Sequence, residues 1–300
     1  MLLFDFTWTE FGQQIVAGLA SGAVYGSLAL ALVLIYRSTG VVNFAQGEMA
    51  TFATFISVSL MNQGLSFWAA FPLVLAIAFA GGVAIERTII RPVESASVLT
   101  IVIVTLGLAL FLNGLTAVIW GGATRPYEGP FSPRTIDVGG VHISIQYLGI
   151  LGVSFALVLL LGLFFRFTKL GLALRAAAVN PQSSRLVGIR VGWMLALGWG
   201  IAAVLGAVAG MMIAPLVSLD PNMMQVVLLY AFAAAILGGL DSPLGAIVGG
   251  LLLGLTITLI GRYVGFIGTT LQLPVALALI LGLLLVRPGG LFGRIAVRRV

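Results

Sequence analysis

The chain has 300 residues, 60% of them hydrophobic and only 8% charged, with a mean hydropathy of +1.17. Soluble domains carry roughly 25% charged residues, so this composition excludes one and defines a polytopic membrane protein. The net charge of +6 is spread over loops rather than gathered in an Arg-rich arm, which excludes a nucleic-acid partner and assigns the charge to orientation in membrane lipid.

Apolar segments fall at 11–36, 45–61, 67–86, 98–120, 145–165, 193–214, 226–240, 243–261 and 271–286. A span needs about 20 residues. The predicted fold class is therefore all-α: a polytopic transmembrane helical bundle of eight or nine membrane segments, some short or broken, forming a single domain over 1–300. The N-terminus lacks the basic start of a cleavable signal peptide, so the first span is expected to insert the protein. With nine crossings the N-terminus lies outside; if 45–61 is re-entrant, it lies inside.

The second segment opens with Asn43-Phe44-Ala45-Gln46-Gly47-Glu48. Asn43 followed by Gln46 reads as an N-cap with its capping-box partner, and Glu48 suits the positive end of the helix dipole. The same arrangement, in a helix that begins inside the protein, aims free N–H groups at a substrate carboxylate, as broken transporter helices do. In the fourth segment Thr100, Thr105 and Asn113 are candidates for the same path or for interhelical hydrogen bonds. Asn43, Gln46, Glu48, Thr105 and Asn113 are the candidate pathway residues.

The 121–144 loop is turn-rich, and its stretch from Thr135 to Ile145 predicts a short hairpin around Gly139-Gly140. It is either a solvated connector or a dock for an extracytoplasmic partner.

Five of the fifteen Lys and Arg residues then cluster at Arg166, Lys169, Arg175, Arg185 and Arg190. By the positive-inside rule this region and the C-terminal tail (Arg287, Arg294, Arg298, Arg299) are cytoplasmic, and 121–144 is outside. Gly171 to Val179 should be helical. Asn180-Pro181 is a restart, with Asn at the N-cap and Pro at the first helical position, and Gly188 is a stop. A helix this short is marginal in water and needs something to dock against. Leu186, Val187 and Ile189 offer an apolar edge; Arg175, Arg185 and Arg190 offer charge. The plainer reading is a basic loop that only fixes topology.

Small residues are abundant in the spans, at Gly18, Ala20, Ser21, Gly22 and Gly26, at Gly198, Gly200, Gly206 and Gly210, and at Gly245, Gly249, Gly250 and Gly254; a Gly or Ala every four residues predicts close helix packing. Polar breaks at 38–48 and 238–243 fall one in each half, the pattern of a translocation pathway. Chemistry is sparse. Lys169 is the only lysine and no Gly-rich loop precedes it, so this chain has no Walker A loop. One histidine and no cysteine leave little for a metal or a nucleophile. An enzyme is not expected, and no cofactor is expected on this chain.

Several marks in order carry a family resemblance. They are Val42-Asn43-Phe44-Ala45-Gln46-Gly47-Glu48, Glu86-Arg87 with Arg91-Pro92, and Gly171-x-x-x-Arg175-Ala176 with Gly188-Ile189. Leu237-Gly238-Gly239 with Ser242 and Gly245-Ala246 follows, and then Arg287-Pro288-x-Gly290-Leu291-Phe292-Gly293. The chain resembles the permease subunits of bacterial branched-chain amino acid ABC importers, a family that includes urea and short-chain amide importers. The family often has His where Gln46 stands and Gly where Asp241 stands.

The resemblance implies the bacterial inner membrane, a second permease subunit in a heterodimer, two cytoplasmic ATPase subunits that bind the ATP, and an extracytoplasmic solute-binding protein. It turns 166–192 into an expected coupling region, with Arg175, Asn180, Pro181, Arg185, Leu186, Val187, Gly188 and Ile189 as ATPase-coupling residues. The alternative is a stand-alone channel or secondary transporter for a small polar solute such as urea. Few ionisable residues within the spans weigh against ion coupling, and Glu48 keeps it open.

Overall fold

The computed structural model describes residues 7–293 apart from 133, 269 and 288. The basic tail residues Arg294, Arg298 and Arg299 therefore lie outside the described residues. Among the described residues eleven α-helices and one hairpin follow each other as α1 (Trp8–Thr39), α2 (Gln46–Asn62), α3 (Phe67–Ile85), α4 (Val98–Trp120), β1 (Thr135–Val138), β2 (Val141–Ser144), α5 (Ile145–Phe167), α6 (Lys169–Val179), α7 (Pro181–Leu186), α8 (Val191–Val217), α9 (Met223–Gly238), α10 (Pro243–Tyr263) and α11 (Gln272–Val286). Helices dominate because lipid offers no partner for backbone polar groups, which a helix satisfies internally. Among the described residues six helices are long and apolar enough to cross a membrane, with α9 and α11 as shorter apolar ones. The fold is a polytopic helical membrane bundle. The hairpin forms where predicted, with Val138 paired to Val141 across Gly139-Gly140.

Backbone contacts divide the chain into two compact units. The first takes Met1–Leu30, Gly129–Ser154 and Val226–Val300. Its seam is α1 on α10, where side chains are missing on both sides. A Cβ on Gly250 would fall 2.3 Å from the Gly26 Cα, and one on Gly254 would fall 2.4 Å from the Gly22 Cα. Dispersion and close backbone approach drive such contacts in lipid, which is what the four-residue spacing of glycines serves. Glu10 and Arg262 form an ion pair at one end of the seam.

In the same unit the tail ties up the end of α9. The Leu291 N–H donates to the Leu237 carbonyl and the Phe292 N–H to that of Gly238, capping carbonyls the helix leaves free. Gly239, at φ +101°, and Gly290, at φ +76°, make the approach possible. Ser242 then caps α10 by accepting from the Gly245 N–H, with Pro243 in its first turn.

The second unit, Ala31–Glu128 with Phe155–Gln225, is built on α8. Helices α2 and α3 both pack on it. A Cβ on Gly82 of α3 would lie 2.6 Å from the Trp199 carbonyl oxygen of α8, so these backbones touch. Helix α4 lies on α2 and turns Leu110, Phe111 and Val118 outward, the side chains a lipid-facing surface requires. Trp120 ends α4 by donating to Ser59 Oγ at 2.7 Å, meeting Phe52 edge-on and lying tilted against Phe55. The following loop is held by Arg125 pairing with Leu219, main chain to main chain, and by Tyr127 within 2.9 Å of Ser57 Oγ. Burial pushes the Tyr127 hydroxyl up to about 12.

Replacing Gly250 or Gly254 with Val should lower stability by about 1–3 kcal/mol through overpacking. Thermal melting in detergent measures it, and the lipid-facing control Gly107→Ala, where an added Cβ meets nothing within 4 Å, should melt normally.

Candidate functional site

The polar segment ahead of α2 is buried, and its buried groups bond to one another. Asn43 and Gln46 are fully buried and Glu48 is buried. The expected capping box does not form. Helix α2 begins at Gln46 behind Ala45, and no side chain caps it. Asn43 instead folds its own turn: its Oδ1 accepts from the Ala45 N–H at 3.0 Å, and its Nδ2 donates to Gln46 Oε1 at 3.3 Å. Gln46 is drawn away from the cap because its Nε2 donates to the Ala202 carbonyl of α8 at 2.8 Å. That reach exists only because residue 206 is glycine; a Cβ there would sit 2.6 Å from Gln46 Nε2.

Ala202 lies eleven residues after Val191, the start of α8. At about 1.5 Å per residue that is roughly 16 Å along the helix, about half of a 30 Å hydrocarbon layer. Helix α2 therefore begins inside the protein, near mid-depth of a long span, and its first-turn N–H groups have no intrahelical partner there.

Glu48, one turn on, meets Asn113 of α4. Asn113 Nδ2 lies 3.3 Å from Glu48 Oε2, 3.0 Å from the Pro221 carbonyl oxygen and 3.0 Å from Asn222 Oδ1. An amide nitrogen has two hydrogens, and three acceptors share them. The cluster is therefore rich in acceptors and short of donors. Asn222 also accepts from Gln225 Nε2 at 2.9 Å, and its own N–H donates to Asp220 Oδ1 at 2.8 Å.

Thr105 does not join this cluster. It is buried, and its hydroxyl donates to the Val102 carbonyl of its own helix at 2.9 Å, because local back-bonding satisfies a threonine without a neighbour. Thr100 pairs with Ser97, the N-cap of α4. At the break at 238–243 the tail caps the end of α9, and the turn that meets Asn113 is the one at 220–222 before α9. Asn222 escaped the sequence reading although Asp220-Pro221-Asn222 carries an ordinary turn signature ahead of a short apolar helix.

The second candidate region is α6 and α7. Asn180 caps α7 as its position predicts, its side chain accepting from the Ser183 N–H at 2.9 Å, and Pro181 begins the helix. At the far end Gly188, at φ +83°, donates to the Arg185 carbonyl while the Ile189 N–H reaches that of Ser184. This pair of bonds is a Schellman stop. Leu186 is 89% exposed and Val187 76%; Arg175, Arg185 and Arg190 are exposed. Ile189 departs from the predicted edge. It packs inward on a small core of Leu174, Ala177, Val191 and Met194, because the left-handed turn at Gly188 folds it back over α6 and α8.

A helix that starts inside the bundle, a buried acceptor-rich cluster beside it and a short exposed helix pair define a solute-translocating membrane protein. The sequence profile described as "Branched-chain amino acid transport system / permease component" matches residues 14–287. The chain belongs to that permease family. It is 31% identical to the "High-affinity branched-chain amino acid transport system permease protein LivH" of Escherichia coli (strain K12), over 97% of this chain and 98% of that protein. It is 32% identical to the corresponding BraD protein of Pseudomonas aeruginosa, over 96% of this chain and 97% of that one. Among solved structures it is similar to "PsaBC from Streptococcus pneumoniae in complex with Fab", with a TM-score of 0.49, 15% identity and 93% of this chain and 92% of that chain covered.

Gly206→Ala should displace Gln46 from Ala202 and destabilise the protein by about 1–3 kcal/mol, the cost of a buried polar group left unpaired. Adding Gln46→Ala should recover part of that loss, which paired melting curves of the single and double variants will show.

Proposed function

We propose that this chain is the membrane-spanning permease subunit of an ATP-binding-cassette importer in a bacterial inner membrane, moving branched-chain or other small amino acids by alternating access. Separate ATPase subunits bind the ATP, and this chain carries no cofactor of its own. The observation that carries the reading is α7: six residues, capped at both ends, with Leu186 and Val187 turned outward where none of the described residues covers them. A hydrophobic edge flanked by three arginines suits a groove on a partner, in the helix-in-groove manner. Closure of two ATPase subunits around ATP then pushes α7 and rocks the spans between inward-open and outward-open states.

The positive-inside rule supports a cytoplasmic side for 166–192 and for the C-terminus, and an outer side for 121–144. A second permease chain completes the pathway as a heterodimer, and an extracytoplasmic solute-binding protein delivers the solute to the outer face. Along the path, Glu48 and Asn113 take the solute's ammonium hydrogens, the donors their cluster lacks. The first turn of α2, with Asn43 and Gln46 setting its position, faces the solute's carboxylate. A second reading, an ion-coupled carrier working alone, is favoured by one observation, the buried carboxylate of Glu48.

Leu186→Asp with Val187→Asp should abolish co-purification of the ATPase subunits and ATP-dependent uptake. Unchanged recovery of the subunits with unchanged uptake would refute the docking role. Uptake by this chain alone in proteoliposomes without ATP would favour the second reading. Glu48→Gln or Asn113→Leu removes a charged hydrogen bond, about 1.5–3 kcal/mol, so uptake should fall by about tenfold or more while the ATPase subunits still bind.

A further inference from the structure

Between α3 and α4 the chain makes a π-helical turn, Glu86–Ile90, followed by a 3₁₀ turn, Arg91–Val93. The wide turn has a consequence for side chains. Residues five apart lie about 140° apart around an α-helix, on different faces. Here the Arg91 N–H donates to the Glu86 carbonyl, the i→i+5 bond of a π turn, and the two side chains share a face. Arg91 Nε and Nη2 reach the two carboxylate oxygens of Glu86 at 3.3 and 3.1 Å, and the Glu86 side chain is 2% exposed.

The pair also grips another helix. Arg91 Nη2 donates to the carbonyl of Gly192, in the first turn of α8, and a Cβ on Gly192 would come within 3.2 Å of that nitrogen. Next to it, the guanidinium carbon of Arg87 stands 3.5 Å over the ring of Trp193. Arg87 Nε is buried without a hydrogen-bond partner, so this face-on contact is what holds that part of the side chain. Two consecutive residues of α8 are thus clasped by two arginines of one turn. Both lie a few residues beyond α7, and Val191 and Met194 beside them pack on Leu174 and Ala177 of α6.

We infer that Glu86, Arg87 and Arg91 form a latch that fastens the exit of the α6–α7 segment to the end of α3, so that displacement of α7 moves α3 and α8 as one piece. The inference rests on the coupling role proposed for α7 and names the residues through which that role acts. Beyond the latch, Gly82 and Gly200 bring α3 and α8 into backbone contact, and Gly206 and Gly210 seat Gln46 and Thr54 of α2 on α8. A push at α7 therefore arrives at the start of α2, where Gln46 is bonded to Ala202. The latch residues are positioning residues; none belongs to the Asn43–Asn113 cluster. Lysine in place of Arg91 keeps the charge but cannot span both carboxylate oxygens and the Gly192 carbonyl.

The test uses the full transporter, with its ATPase subunits, second permease chain and binding protein, in proteoliposomes, and reads solute taken up per ATP hydrolysed. Arg91→Lys and Arg87→Lys should assemble and hydrolyse ATP, yet uptake per ATP should fall about three- to tenfold. Because this chain has no cysteine, Arg87→Cys with Trp193→Cys places one thiol on each side of the contact, for a bifunctional methanethiosulfonate reagent of matching length to bridge. In the Arg91→Lys background, bridging should restore uptake per ATP and reduction should lose it again. An unchanged ratio in both lysine variants overturns the latch, as does a bridge that forms without restoring the ratio. If Arg91→Lys fails to assemble, the Arg87→Lys ratio decides. Failure of the coupling reading is separable, since it would leave uptake intact in the Leu186→Asp, Val187→Asp protein.

Discussion

The hydrogen bond from Gln46 to the Ala202 carbonyl fixes where α2 begins, and the polar site depends on that point. A carbonyl inside a helix already accepts one intrahelical bond, so a side chain can reach its second lone pair only if the next turn leaves room. Gly206 leaves that room. The consequence is a helix that starts at mid-depth of α8, brings Glu48 level with Asn113, and lets the turn at 220–222 close on the same amide. Were α2 anchored one turn further along, Glu48 would lose Asn113 and be left as a buried carboxylate with nothing to bond.

The same economy of side chains runs through both units. Glycine pairs remove the steric distance between α1 and α10 in one, and between α3 and α8 in the other. In lipid, where burial of apolar surface gives little preference for one helix pair over another, close backbone contact is the main source of specificity. It also makes each packed pair stiff. Stiff pairs with short polar links between them suit the displacement proposed to start at α7, and the Glu86–Arg91 clasp on Gly192 is such a link. A buried ion pair is poor evidence for stability, since desolvation offsets most of its attraction; its geometric specificity is the better reason for it to exist.

Local chemistry was legible wherever it decided the outcome. The Asn180-Pro181 restart and Gly188 stop could be read residue by residue, because an N-cap and a left-handed stop depend only on neighbours. Span positions were legible for the same reason: lipid forces each apolar run into a helix by itself. The reading failed where a distant partner competed. Gln46 looked like half of a capping box and went to Ala202; Ile189 looked exposed and folded back over α6. Asn222 and the clasping role of Arg87 and Arg91 carry no local signature of their partners at all.

The class, a helical membrane protein of the branched-chain amino acid permease family, could be read from the residues alone, together with its spans and its capped short helix. Hydropathy, capping and turn chemistry act within a few residues and need no fold. That α2 starts inside the protein, that Glu48, Asn113 and Asn222 meet, and that a π turn lays Arg91 against α8 emerges only once the chain is folded. Those facts depend on which groups come within bonding distance, and for the start of α2 that is set by the missing side chain at Gly206, far along the chain.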